Sequence, residues 1–215
     1  MKLVLISDTH GRFQPDLPDG DILIHAGDLS MEGTVIEMWE SVKWLGAQKK
    51  RFDHIVFVAG NHDFFAEECP KTMRAMAEDK GIIYLQDEST EINGLKFWGS
   101  PMTPEFGGWA FMVHRGELMD NHWKRIPDDT DILITHGPPY GILDSTNQGE
   151  SVGCEALREH VRRVKPALHV FGHIHEGHGK ERLFGMPTLF VNASLLDERY
   201  VPSGESIIFD TEEKS

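Results

Sequence analysis

Five short apolar runs in this 215-residue chain each end in a cluster of Asp, Asn or His. Leu3-Val4-Leu5-Ile6 runs into Asp8-Thr9-His10, and Ile22-Leu23-Ile24-His25-Ala26 into Gly27-Asp28. Ile55-Val56-Phe57-Val58-Ala59 precedes Gly60-Asn61-His62-Asp63. Ile132-Leu133-Ile134-Thr135 precedes His136-Gly137, and Leu168-His169-Val170-Phe171 precedes Gly172-His173-Ile174-His175. Such runs, followed by Gly and turn residues, read as strands buried on both faces. In open α/β sheets, ligands gather outside the carboxyl ends of the strands, so these side chains are expected to converge on one point. Building a sheet requires no such arrangement; binding metal does.

Between the runs the chain alternates loops and helices. Gly11 to Gly20 holds Pro15, Pro18 and Asp19-Gly20 and reads as a loop. Val35, Met38, Trp39, Val42 and Leu45 lie at helical spacing within 34–50, with Thr34 as N-cap. A second helix is predicted over 70–80, with Pro70 in its first turn and Gly81 after its end. A third is predicted over 154–164, stopping before Pro166. Residues 82–85, 95–100, 188–193 and 206–209 read as further strands, with Asn93-Gly94 as a hairpin signal. Residues 101–114 are expected to loop over the site, 140–153 to form another loop, and 212–215 a polar tail. One domain over 1–215 is expected, with two packed sheets flanked by helices.

The formal net charge of −14 sets the partner classes. Such a surface repels polyanions, so neither nucleic acid nor an anionic membrane is expected as partner. Lys49-Lys50-Arg51 and Arg162-Arg163 sit where helices should end and there complement the helix dipole. Cys69 and Cys154 read as unpaired thiols of a reducing cytoplasm. No run approaches the roughly 18 apolar residues of a membrane span.

Asp8, His10, Asp28, Asn61, His136, His173 and His175 offer only oxygen and imidazole nitrogen. Such donors suit Mn²⁺, Fe, Zn²⁺ or Ni²⁺, and the lack of thiolates argues against a structural zinc site. Residues at i and i+2 of an extended segment share a side, so Asp8 with His10, and His173 with His175, are expected to chelate as pairs. Seven donors exceed one coordination sphere and suit two divalent ions, if one carboxylate bridges. Two such ions can clamp the oxygens of an in-line phosphoryl displacement. His62, offset from Asn61, suits a general acid for the leaving group. Asp63 either orients His62 or caps the next segment.

Taken in order and spacing, these five blocks resemble those of the calcineurin-like metallophosphoesterases. The small metallophosphoesterase-domain-containing branch is similar in further marks: Trp98-Gly99-Ser100-Pro101, Val152-Gly153-Cys154, His175-Glu176-Gly177-His178-Gly179 and Asn192-Ala193-Ser194. The resemblance implies a four-layer α/β/β/α sandwich with a dinuclear site. It also implies that Asp8, His10, Asp28 and His175 hold one ion, that Asp28 (bridging), Asn61, His136 and His173 hold the other, and that His62 is the catalytic acid. The implied activity is hydrolysis of a small phosphodiester such as a cyclic nucleotide, with Mn²⁺ the leading metal. The rivals are a phosphomonoesterase, a metal-dependent binding module, a metal amidohydrolase and a nuclease. Amidohydrolases favour a His-x-His pair after the first strand, where this chain has Asp8-Thr9-His10, and the net charge weakens the nuclease.

The remaining residues divide more plainly. His25 and His169 lie within strands and read as core histidines, whereas His54, His122 and His160 read as surface residues. His178, close after His175, is a candidate for the phosphate or for contact with a ligand residue. Phe106, Trp109 and Phe111, in a Gly-rich segment, either line a pocket, with Trp109 as a substrate contact, or cover the sheet edge. Asn192, at a late strand end, either touches substrate or caps a turn.

Overall fold

The computed structural model of the chain describes residues 1–212. The expected polar tail at 212–215 lies, beyond its first residue, outside them. Two sheets carry the fold. One contains Lys2–Ile6 (β1), Ile22–His25 (β2), His54–Phe57 (β3), Ile83–Tyr84 (β4) and Ile207–Asp210 (β13), in the order β13-β1-β2-β3-β4. The other contains Glu88–Ile92 (β5), Leu95–Ser100 (β6), Ile132–Thr135 (β9), Leu168–Phe171 (β10), Gly179–Arg182 (β11) and Leu189–Asn192 (β12), in the order β11-β12-β10-β9-β6-β5. Thr103–Pro104 (β7) and Met112–Val113 (β8) pair separately. In both sheets the central strands run parallel, while β13, β5 and β11 are antiparallel edges.

Side-chain alternation along the strands explains why the apolar runs are continuous. Leu3, Leu5, Ile22, Ile24, Val56 and Val58 face the other sheet and meet Phe97, Ile132, Ile134, Leu168, Val170 and Val191. Their neighbours Val4, Ile6, Leu23, Ile55 and Phe57 point the opposite way. They pack on helices Val35–Ala47 (α1), Phe64–Glu68 (α2) and Pro70–Asp79 (α3), through Met38, Val42, Leu45, Ala66 and Met73. On the far side of the second sheet, Trp98, Leu133, Phe171 and Phe190 meet Glu117–Trp123 (α4) and Glu155–Val164 (α5) through Met119, Trp123, Leu157 and Val161. Three apolar layers thus separate four structural ones, the α/β/β/α sandwich the sequence implies. Truncating an inner residue such as Ile24 to Ala costs about 2–5 kcal/mol.

The helices end as their sequences dictate. Thr34 and Glu37 form a reciprocal capping box at the start of α1. Pro70 opens α3, and Lys165, before Pro166, closes α5 in the left-handed region at φ 54. Besides the short pair β7 and β8, where a loop is expected, α2, α4 and β11 have no sequence expectation behind them. They span five, seven and four residues, too few for a period to stand out.

Two histidines differ from expectation. His160 is buried and His122 half-buried, because α5 and α4 carry them inward to hydrogen-bonding partners. His122 Nε2 lies 3.1 Å from Asp87, and His160 Nε2 lies 2.9 Å from Asp120. His25 and His169 are fully buried, each with Nε2 2.9 Å from a threonine hydroxyl, Thr9 and Thr135 respectively. Burial pushes both down to about 3.

Candidate metal centre

The carboxyl ends of the two sheets meet where Ser7, after β1, pairs with Ser194, after β12. Here the backbone leaves extended geometry. Asp8, His10, Asp28 and His173 all have positive φ, at 55°, 48°, 54° and 70°. Asp and His tolerate that region better than most residues, yet it costs about 1–3 kcal/mol at each position. Asp8 N donates to Gly27 O and His10 N to Asp28 O, which locks the first two loops together. Gly172 has no freedom to vary: a Cβ there would run into the Asp8 carboxylate.

These bends overturn the expected i, i+2 pairing of His173 with His175. His173 is turned by its left-handed backbone, and His175 begins the short 3₁₀ helix His175–Gly177. The two rings therefore face different groups. Ligand atoms of Asp8, His10 and His175 lie within 4.8 Å of one another, as do those of Asp28, His136 and His173. Asp28 spans the groups, with Oδ2 3.7 Å from His10 Nε2 and Oδ1 3.4 Å from His136 Nε2. Asn61 Oδ1 lies 2.9 Å from His136 Nε2. The structure thus brings all seven candidate ligands to one place.

The donor chemistry tests whether divalent ions fit. His10, His136 and His175 place Nδ1 3.2, 2.9 and 2.8 Å from the carbonyls of Ser30, Ala26 and Asp197. A carbonyl only accepts, so each Nδ1 carries a proton and, whenever the ring is neutral, each Nε2 turns a lone pair inward. Those lone pairs face one another, with His10 and His175 Nε2 3.4 Å apart, and they face carboxylate oxygens as well. Converging lone pairs repel unless cations or protons lie among them. Carbonyl-locked imidazoles with inward nitrogens are the arrangement that orients metal ligands.

Electrostatics points the same way. Burial alone would raise the Asp8 carboxyl, but His175, His136 and His10 hold it well below the usual range. Burial would likewise raise Asp28, and His136 and His10 reverse that. Burial opposes charge on His136 and His175, yet Asp28 and Asp8 respectively lift them to about 9. Burial pushes His173 down to about 3, leaving it neutral. The site therefore keeps its carboxylates ionised and draws positive charge.

His62 sits beside the clusters. Its Nδ1 donates to Met31 O at 2.7 Å, its ring meets the His10 ring edge-on at 4.6 Å, and Trp109 lies 4.3 Å away at 35°. Asp63 plays neither role expected of it. Its buried carboxylate accepts from Leu29 N, Ser30 N, Ser30 Oγ and Gly60 N, tying the Asp28 loop to the Asn61 turn. Burial, then the Asp28 charge, pushes Asp63 up to about 6.

The clusters floor an open cleft of about 250 Å³ with Phe106, Trp109, Tyr200, Glu176 and Glu198 on its walls. Residues 101–114 fold back through β7 and β8 and bring Phe106 and Trp109 to the rim, whereas Phe111 is buried in the core. His178 does not line the cleft: its Nδ1 is buried without a hydrogen-bond partner, next to Gly204. Tyr200 escaped the sequence reading. Its ring lies 4.9 Å from His10 and 5.6 Å from His175, although nothing in its local sequence marks it. Ser194, noted in the sequence only as a mark of the branch, has a role there that was not foreseen: its hydroxyl donates to Asp8 Oδ2 at 2.8 Å. Asn192 is structural, binding Leu143 O, Ile174 O and Ser194.

Comparison with known proteins agrees with this geometry. Residues 1–177 match the calcineurin-like phosphoesterase family. Metallophosphoesterase domain-containing protein 1 of Homo sapiens, like that of Mus musculus, is 38% identical over 233 residues, covering 97% of this chain and 70% of its own. A stretch of the probable rhamnogalacturonate lyase C of Emericella nidulans is 41% identical over 192 residues, covering 84% of this chain but 18% of that protein. The crystal structure of TT1561 of Thermus thermophilus superposes with TM-score 0.64 at 12% identity, covering 97% of this chain and 98% of that one, a likeness of fold. The chain belongs to the calcineurin-like phosphoesterases, metal-dependent enzymes that hydrolyse phosphoesters at a dinuclear divalent site.

Proposed function

We propose that this phosphoesterase is a phosphodiesterase for small phosphodiesters, cyclic nucleotides among them, working with Mn²⁺ in the cytoplasm. Asp8, His10, Asp28 and His175 would hold one ion, and Asp28, Asn61, His136 and His173 the other. The observation that carries this reading is Asp28, whose two carboxylate oxygens address the two clusters separately. When bound, the ions supply charge stabilisation to the phosphoryl oxygens and acidify an attacking water. His62 is the general acid. Met31 O holds its Nδ1–H, so Nε2 is the atom that delivers a proton to the leaving oxygen. Trp109 fixes the plane of that ring and offers a face to the substrate.

Charge supports a diester over a monoester. Among the described residues no Lys or Arg lines the cleft, while Glu176 and Glu198 stand at its walls. A dianionic monoester or a nucleic-acid strand meets more repulsion there than a monoanionic diester. The free thiols Cys69 and Cys154 support a reducing compartment. Among the described residues no helix is long and apolar enough to cross a membrane.

A second reading of His62 has its own support: its ligand atom lies within 4.8 Å of those of His10 and Asp28, close enough to coordinate. The test of function compares kcat/KM under identical Mn²⁺ for cyclic nucleotides, a chromogenic diester, a phosphomonoester and single-stranded DNA. The diesters should lead. A leading monoester makes this a phosphatase, and leading DNA overturns the charge argument.

A further inference from the structure

Beside the metal-ligand cleft lies a second cavity of about 400 Å³, within the size range of small-molecule sites. It shares Phe106 and His173 with the cleft, and Pro104, Pro138, Val152 and Ile174 make half of the rest of its wall. It therefore adjoins the side of the cleft where His173 stands, with the Phe106 and His173 rings 5.1 Å apart at the boundary. A group esterified to a phosphate held in the cleft would enter it past those two rings.

The cavity is preformed. Asp144 Oδ2 accepts from Gly141 N at 2.8 Å and from Gly153 N at 2.9 Å, closing the 140–153 segment on itself. A Cβ on Gly153 would stand 2.7 Å from the Pro139 carbonyl, so the two segments touch at full contact. Arg115 staples the rim: Nη1 donates to Gly153 O at 2.8 Å and Nη2 to Val152 O at 2.7 Å. Its charge is also met by Glu155 at 2.6 Å. Arg115, the one Lys or Arg on the wall among the described residues, is thus already neutralised, and walls that need no rearrangement cost little to occupy.

We propose that this cavity is a subsite for one arm of the diester, and that the arm is an uncharged apolar ring, such as an aryl group, carrying no further phosphate or carboxylate. The inference rests on the phosphodiesterase reading. An apolar wall rewards buried apolar surface, and among the described residues no unpaired Lys or Arg lines either space to pair an additional anion, only the hydroxyls of Thr146 and Tyr200. A phosphomonoester would also leave one of the two spaces empty. The subsite selects by the arm that stays, independently of how good the other arm is as a leaving group.

The test separates binding from turnover in the metal-reconstituted full chain. Calorimetry compares Kd for diphenyl and dimethyl phosphate. Kinetics compares kcat/KM for phenyl and methyl p-nitrophenyl phosphate, which share a leaving group. The aryl arm should win by about tenfold or more in both, the order expected for filling an apolar pocket. A 4-carboxyphenyl arm should lose that advantage. Val152→Trp fills the cavity and should bring both ratios toward one. Val152→Asp, nearer valine in volume, should do the same by charge, and decides the matter should tryptophan disturb the fold. A wild-type ratio near one, or ratios that survive in the folded variants, overturns the subsite. If the binding ratio holds while no ester is hydrolysed, the subsite stands and the phosphodiesterase reading falls.

Discussion

The floor of the cleft and its rim are built on different physics. The floor is buried and over-determined: Asp8, Asp28 and His136 are almost wholly inaccessible, and each donor is fixed by a second contact to backbone or hydroxyl. The rim is half open, with Phe106 and Trp109 about two-fifths exposed and held by ring packing rather than hydrogen bonds. A rigid floor preorganises charge, whereas an open rim admits the substrate. Substitutions in the two should therefore fail differently.

The largest effect is expected at the boundary, where a floor ring meets a rim ring. His62→Ala should lower kcat by about 10²–10⁴-fold and leave metal content near wild type. The loss should shrink for a leaving group such as p-nitrophenolate, which hardly needs a proton. If the variant loses a metal ion instead, His62 is a ligand.

Next comes the scaffold of the floor. Ser194→Ala removes the hydroxyl that orients Asp8, and metal affinity should fall about 10–100-fold with the fold retained. Competition with a chelator reads this directly; unchanged affinity would mean that Gly172 and the backbone alone fix the carboxylate.

This hierarchy also explains what could be read from the chain. Asp8, His10, Asp28, Asn61, His136, His173 and His175 were legible because each follows a continuous apolar run, and buried parallel strands deliver their carboxyl ends to one edge. The grouping of His173 with His175 was not, because the left-handed turn at His173 breaks the alternation on which it relied. Tyr200 was invisible for another reason. Its place depends on 195–204 folding back, with Ser203 N and Gly204 N both donating to Leu195 O, and no periodic signal encodes that return. The burial of His160 against Asp120, and the half-burial of His122, followed from α4, a helix too short to announce itself.

At the rim, Trp109→Ala should cost about tenfold in kcat/KM through lost stacking, the order seen for one base on one ring, with no change in metal content. An effect as large as that of His62→Ala would move Trp109 into the floor.

The smallest effect lies away from both and serves as the control. Burial would raise Asp87, but His122, Ser100 and Arg125 hold it below its usual value. A depressed carboxyl contributes stability above about 3.8 that is lost as pH falls below it. Asp87→Asn should therefore lower Tm near neutral pH and flatten its decline on the acid limb, without altering metal content or kcat. A wild-type slope in the variant would remove Asp87 from the acid response.

The central claim is that one carboxylate joins two metal sites. Elemental analysis of purified, reconstituted protein tests it most directly, comparing wild type with Asp28→Asn. Two divalent ions per chain, with both affinities lost together in the variant, is the predicted result. One tightly bound ion in wild type, with metal content unchanged by Asp28→Asn, would contradict it.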